Sequence, residues 1–236
     1  MKSISLLTLG LLLAQLGYGQ QTEFSLQLTS GLAAFRGTGS TATSIIVAPP
    51  AFRSSAYTIN PYGRQPGLSY GAATQVQRVG AGHSLFGVQA GYEALRSRVQ
   101  IANVFTDSDA GISTTGHTRF ARYFINVHPF GGRRFAVKAL AVDLTAGPEL
   151  GILLRNREAG EAKTGQGVTY TTDRRLGARP NFDGRVRLNL TAYYKRTGLS
   201  VGYSQGLNDY REGSVGSGKV YSQVFRLGLA YRISGT

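Results

Sequence analysis

From Gly184 to Ile233 apolar and polar positions alternate with period two through three consecutive segments. Val186, Leu188, Leu190, Ala192 and Tyr194 fall on one face, and Arg187, Asn189, Thr191, Tyr193 and Lys195 on the other. A tight turn is expected at Arg196-Thr197-Gly198, after which Leu199, Val201 and Tyr203 alternate with Ser200, Gly202 and Ser204. A polar stretch, Asn208 to Gly218, leads to Phe225, Leu227, Leu229, Tyr231 and Ile233, interleaved with Arg226, Gly228, Ala230 and Arg232. Period two marks a strand whose faces meet different surroundings. Here the second face carries Arg and Lys in mid-strand, and neighbouring strands repeat it. A barrel with lipid outside and a polar interior has those two surroundings.

The same alternation predicts five earlier strands. Over 22–35, Phe24, Leu26, Leu28, Leu32 and Ala34 oppose Glu23, Ser25, Gln27, Thr29 and Ala33. Over 67–79, Leu68, Tyr70, Ala72 and Val76 face out. From Leu85, Phe86, Val88, Ala90 and Tyr92 face out and Gln89, Gly91 and Glu93 in, until the phase breaks near Arg96-Ser97. Over 117–130, Ala121, Tyr123, Ile125 and Val127 oppose Arg122, Phe124, Asn126 and His128. Over 135–155, Leu140, Val142, Leu144, Leu150, Ile152 and Leu154 point outward and Asp143, Thr145 and Glu149 inward.

The expected connections run long (36–65), short (80–83), medium (106–116), short (131–134), long (156–181), short, medium. Short turns alternating with longer loops, and an even strand number, are habits of small outer-membrane barrels. The fold expected is all-β, an eight-stranded antiparallel up-and-down transmembrane barrel with a polar interior. The apolar island Ile45-Ile46-Val47 suggests a short hairpin within the first long loop. A rival parse drops 67–79 into that loop and splits 85–105 into a hairpin. The sustained alternation of 67–79 favours the first parse.

Composition adds location. Lys2, the apolar run Ile4 to Leu16 and the small residues Gly17 and Gly19 have the form of a secretory signal over 1–19, leaving 20–236 as the barrel. No segment has the roughly 20 apolar residues of a spanning helix, so a membrane protein built this way must span as a closed barrel. There is no Cys, which excludes disulfides and thiolate chemistry. The formal charge of +14 is spread in singles and pairs rather than runs, which argues against nucleic acid. Basic groups at strand ends instead suit lipid phosphate, including that of lipopolysaccharide.

At this point the chain resembles outer-membrane β-barrel proteins of Bacteroidetes-type bacteria, the porin-like group that includes the PorT-like family. Gly67-Leu-Ser-Tyr-Gly71, Gly87-Val-Gln-Ala-Gly-Tyr-Glu93, Arg122-Tyr-Phe-Ile-Asn-Val127 and, above all, Leu144-Thr-Ala-Gly-Pro-Glu-Leu-Gly-Ile-Leu-Leu154 carry the resemblance. It implies an integral outer-membrane barrel with no cofactor. The C-terminus departs from the aromatic ending of many such barrels, with Ser234-Gly235-Thr236 after Ile233.

Candidate chemistry lies on the inward face. Glu23, Glu93, Asp143 and Glu149 are its acids, and Arg122, Arg187, Lys195, Arg226 and Arg232 its bases. An eight-stranded lumen is just wide enough for side chains to fill, so these charges must pair. A salt-bridged plug is expected in preference to a narrow pore. His83, His117 and His128 do not converge, so no metal site is expected. A lipid A-modifying hydrolase would need His117 near Ser113 or Ser204 as base and nucleophile. Gly213–Lys219 approaches a phosphate-binding loop, but Val220 stands where Ser or Thr would be required. Asn189-Leu190-Thr191 lies mid-strand and is discounted as a glycosylation site. Tyr57, Tyr62, Arg64, Tyr170, Arg174, Arg175, Tyr210 and Arg211 give the outside loops an aromatic and basic character suited to a surface ligand or an envelope protein. The sequence therefore points to a monomeric, non-enzymatic role in envelope structure or surface binding. A soluble secreted barrel with an apolar lumen would instead place Leu188, Leu227 and Leu229 inside.

Overall fold

The computed structural model describes residues 21–49, 56–106, 111–176, 180–211 and 218–234. The expected signal segment and most of the near-match to a phosphate-binding loop lie outside these residues. The strands are β1 (Gln21–Arg36), β2 (Thr43–Ala48), β3 (Tyr57–Thr58), β4 (Gln65–Val79), β5 (Ser84–Thr106), β6 (Ile112–Val137), β7 (Leu140–Thr164), β8 (Thr169–Arg174), β9 (Phe182–Tyr194), β10 (Thr197–Gly206) and β11 (Tyr221–Ser234). Eight of them, β1, β4, β5, β6, β7, β9, β10 and β11, close into an antiparallel ring, with β11 returning to β1. Closure removes the free edges that an open sheet would expose. The 67–79 segment is thus a wall strand, β4, paired with both β1 and β5.

The faces divide as the alternation requires. Leu188, Leu227 and Leu229 point outward, 50, 53 and 55% exposed, so the apolar-lumen alternative is excluded. On β7 the outward apolar row runs from Leu144 to Leu154. Ten steps at about 3.4 Å, tilted by about 40°, give a band about 26 Å tall, the height of a lipid-facing belt. The small outward residues Ala72, Thr74 and Ala90 leave a trough in this belt, bordered by Leu26, Leu28, Leu229 and Tyr231 and about 630 Å³ in volume.

Three short connections lie at one end of the ring. The β6–β7 turn is Lys138-Ala139, not 131–134, because β6 stays in register with β7 down to the Val137–Leu140 pair. Gly131-Gly132 is therefore wall rather than turn. A Cβ on Gly132 would sit 2.1 Å from the Leu144 carbonyl oxygen. Lys138 and Lys195 begin two-residue turns with φ of 53°, the left-handed region that primed hairpin turns require.

At the other end the wall continues beyond the belt. Where β4 stops, β2 pairs with β5 in parallel, and β3 pairs with β2. Where β9 stops, β8 pairs with β7. The result is a second, smaller sheet, β3-β2-β5-β6-β7-β8, on top of the barrel. Ile46, Val99, Ile101, Val104 and Ala162 form its core. The apolar island of the first long loop is therefore a strand of this sheet, and the second loop, expected over 156–181, is mostly β7 and β8. The apparent phase break at Arg96-Ser97 is not a slip: Glu93, Leu95, Ser97, Val99 and Ile101 all remain inward. The faces persist, and their polarity exchanges.

Candidate functional site

The lumen is filled by two charged storeys. The lower one gathers Glu23 of β1, Asp143 of β7, Arg134 of β6 and Arg232 of β11. Arg134 donates from Nη1 and Nη2 to the Glu23 oxygens, both at 2.7 Å, and from Nε to Asp143 at 2.6 Å. Arg232 reaches Glu23 at 3.2 Å and stacks 3.6 Å over the Tyr193 ring. Gln77 donates to both acids, at 2.7 and 3.1 Å. Two acids face two bases, so the storey is neutral.

A glutamine ladder rises from it. Gln75 donates to Gln77, Gln27 to Gln75 and Gln89 to Gln27, at 2.8, 2.7 and 2.6 Å. Above lies the second storey, where Glu93, Glu149 and Asp183 meet Arg185 and Arg226. Arg226 bridges Glu93 at 2.8 Å and Glu149 at 3.0 Å from Nη2. Arg185 reaches Glu149 at 3.0 Å, Glu93 at 3.2 Å and Asp183 at 2.7 Å. Ser204 donates to Glu149, Ser222 to Asp183 and Asn126 to Glu93, so the carboxylates are saturated with donors. Paired and hydrogen-bonded charges of this kind survive burial; single ones do not.

The Gly-Pro-Glu-Leu-Gly stretch of β7 builds part of this storey. Glu149 and Gly151 are inward, and a Cβ on Gly151 would lie 2.8 Å from Asn126 Oδ1 and 3.4 Å from Arg185 Nη2. Pro148 lacks an N–H, as does Pro129 of the neighbouring strand, and the ladder between β6 and β7 is interrupted there. His128 Nδ1 donates to the free Pro148 carbonyl at 2.8 Å. Nearby, the void lined by Glu93, Asn126, His128, Arg187 and Arg226 measures about 20 Å³, room for about one water.

An aromatic lid closes the outer end. Phe35, Phe120, Tyr210 and Val220 pack together with Tyr62. The Arg122 guanidinium sits 4.3 Å over Phe35 and 4.6 Å over Tyr210, with Asp183 at 3.8 Å beneath. Cation–π contact replaces part of the solvation that Arg122 loses. Tyr62 donates its hydroxyl hydrogen to the Tyr210 carbonyl at 3.1 Å.

Eight of the nine predicted lumen charges are buried on the inner face: Glu23, Glu93, Arg122, Asp143, Glu149, Arg187, Arg226 and Arg232. Lys195 is corrected. It occupies the exposed β9–β10 turn, because the strand ends at Tyr194, and its Nζ lies 5.6 Å from the Tyr194 ring. Three charges were missed. Asp183 and Arg185 share the parity of Arg187 and would follow from carrying the β9 alternation two turns of the pleat further. Arg134 shares the parity of Arg122 and His128, but Gly131-Gly132 imitated a turn and concealed it. Tyr62 and Tyr210 point into the lid rather than from the loops, whereas Tyr57 stays outside with Arg174 stacked 4.9 Å from its ring. His117 is exposed on the outer face of β6, and Ser204 is fully buried in the lumen against Glu149. The two are on opposite faces of the wall and cannot act together. Ser113 is exposed four residues from His117 on the same strand, about 13 Å away at strand rise, beyond proton-transfer distance.

No family model matches the chain, and no curated protein matches it. Among solved structures it is similar to Ail, the attachment invasion locus protein of Yersinia pestis, in complex with the heparin analogue sucrose octasulfate, at 11% identity over 89% of this chain and 99% of that one, with a TM-score of 0.35. It is similar to Neisserial surface protein A at 15% identity, over 88% of this chain and 96% of that one, with a TM-score of 0.36. A third similarity is to the translocator domain of the autotransporter NalP from Neisseria meningitidis, at 10% identity, over 98% and 96%, with a TM-score of 0.29.

Proposed function

We propose that this chain is an outer-membrane barrel with a closed lumen, and that its role is non-enzymatic, as a surface-binding platform formed by the sheet above the belt. One observation carries the reading. On β5, β6 and β7 the outward face changes at one height, apolar below it and basic and polar above it, which is the profile of a wall that leaves lipid for water. The short-turn end then faces the periplasm and the small sheet faces the exterior. The saturated ion pairs and the aromatic lid oppose the pore alternative. The opposed placement of His117 and Ser204 opposes the hydrolase alternative.

The test has two parts. Refolded in detergent, residues 20–236 should migrate differently on SDS gels before and after boiling. In planar bilayers they should give no ohmic steps. Regular single-channel steps that persist in wild type and enlarge in Arg226→Ala would overturn the closed-lumen reading. Solubility without detergent would overturn the membrane placement.

A further inference from the structure

The outward face of β5, β6 and β7, just above the belt, carries a concentration of cations that the lumen network does not use. Register fixes its layout. Tyr70, Ala94, Tyr123 and Arg155 lie in one row across β4 to β7. Arg96, Ala121 and Arg157 form the next row, and Arg98, Arg119 and Ala159 the one above. Five Arg thus share an area of roughly 10 by 14 Å, taking strand spacing and residue rise.

Arg157 is paired with Asp173, its Nε donating at 2.6 Å. Among the described residues, Arg96, Arg98, Arg119 and Arg155 have no carboxylate within ion-pair distance. Arg96 and Arg155 are instead propped on tyrosines, 4.9 Å over Tyr70 and 4.5 Å over Tyr123. Arg98 and Arg119 face each other directly across the strands. Like charges in that position repel, and an anion between them would reverse the sign. Lower on the outward wall, centred on β1 and β4, lies the apolar trough of Ala72, Thr74 and Ala90, its upper edge at Ala72, two residues below Tyr70.

We infer that this surface holds a phosphorylated, multiply acylated glycolipid of the outer leaflet, with its phosphates on Arg96, Arg98, Arg119 and Arg155 and an acyl chain in the trough. The inference rests on the membrane placement proposed above. Three features select this occupant over a soluble anion. The cations stand on a convex wall rather than in a pocket. They lie at the height where the belt ends and headgroups begin. The trough lower on the neighbouring strands is apolar and continuous with the belt. Planar guanidinium groups match phosphate with paired hydrogen bonds.

The probe is a bisphosphorylated hexa-acyl glycolipid, compared with its dephosphorylated form, added to refolded protein in an uncharged maltoside detergent. Native mass spectrometry should show the phosphorylated form retained by wild type and retention about tenfold weaker in the Arg98→Gln/Arg119→Gln and Arg96→Gln/Arg155→Gln variants, both keeping the heat-dependent gel shift. Inorganic phosphate in large excess should fail to displace the glycolipid. A second readout uses Arg119→Gln alone, whose urea midpoint should rise without glycolipid, as repulsion is relieved, and lose the wild-type gain with it. Equal retention of the dephosphorylated form, or unchanged retention in both double variants, would overturn the site. Displacement by inorganic phosphate would reduce it to a general anion site and overturn the lipid assignment. A chain that stays soluble without detergent is a different failure: it removes the membrane placement, and this proposal with it.

Discussion

Below Ala94, β5 turns Gln89 and Glu93 inward and Phe86, Val88 and Tyr92 outward; above it, the same strand turns Leu95, Val99 and Ile101 inward and Arg98 and Gln100 outward. β6 and β7 change their outward residues at the same height, from Ile125 to Arg119 and from Ile152 to Arg155 and Arg157, while Thr118, Asn156 and Glu158 stay inward. Inside the belt, lipid asks for apolar atoms outside, and the narrow lumen is left to polar groups that must satisfy one another. Above the belt, on the placement proposed here, water takes over the outer face, and the interior gains an apolar cluster on β2 and β5 beside the buried polar groups of β6 and β7. β5 thus keeps its geometry and swaps its chemistry. The two halves should therefore fail in different ways.

The largest effect is expected in the lower half. Replacing Arg226 with Leu leaves Glu93 and Glu149 without their main bridge, and breaking a buried pair by removing one partner costs about 3–5 kcal/mol. Urea unfolding followed by the gel shift should register that loss. A variant that also replaces Glu93 and Glu149 with uncharged residues should recover part of it. If Arg226→Leu alone is neutral, the lumen is hydrated and the description of a closed network fails.

Next comes the outer face, tested as a pair. Leu227→Arg places a charge in the belt and should cost about 2–4 kcal/mol if it lies near the midplane, less toward the edges. Gln100→Leu, on the same outward face but above the belt, should stay within about 0.5 kcal/mol, as surface changes do. Equal costs at the two positions would erase the boundary on which the comparison depends. Inside the upper sheet the order reverses: Ile101→Ala should cost about 2–4 kcal/mol as a cavity in a small core. The loss should appear as faster protease cleavage near β2 and β3, with the gel shift of the barrel retained.

This division also explains what could be read from the chain alone. Where two media differ strongly across one wall, as for Val186 to Tyr194, alternation exposes strand, face and lumen charge together. Reading fails where the media change. At Arg96-Ser97 the exchange of polarity imitates a phase slip, and the parallel pairing of β2 with β5, over 50 residues apart in sequence, leaves no local signal. It fails too where a local signal has two meanings. Gly131-Gly132 serves equally as a turn or as a close approach in a wall, and only the register with Leu144 and Thr145 decides. Arg134, the hub of the lower storey, was hidden by that ambiguity. The tyrosines of the lid were misplaced because composition cannot say which way a loop folds: Tyr62 and Tyr210 return to the lumen to shelter Arg122.

The smallest effect concerns a carboxylate buried inside the upper half. Glu158 is inward on β7, nearly inaccessible, and accepts from the Thr58 backbone N–H at 2.8 Å, which fastens β3 to the sheet. Burial raises its pKa above the ordinary carboxylate value, although the hydrogen bonds from Thr58 act the other way. A raised folded-state pKa means that the fold favours the protonated group. Its contribution is fully present below the unfolded value and is lost as pH rises through the folded one. Docking of β3 should therefore weaken across that window and be looser at neutral pH. Glu158→Gln keeps an oxygen for the Thr58 N–H and removes the buried charge. It should abolish this part of the pH dependence and, at pH 7, be neutral or stabilising by less than about 1 kcal/mol. Glu158→Ala loses the acceptor as well and should loosen β3 by about 1 kcal/mol. Hydrogen exchange at the Thr58 amide, compared among the three proteins at one pH, separates these cases. If Gln loosens β3 as much as Ala does, the charge itself holds the strand. The upper sheet would then depend on ionic contacts as the lumen does, and the contrast between the two halves would be narrower than their polarity suggests.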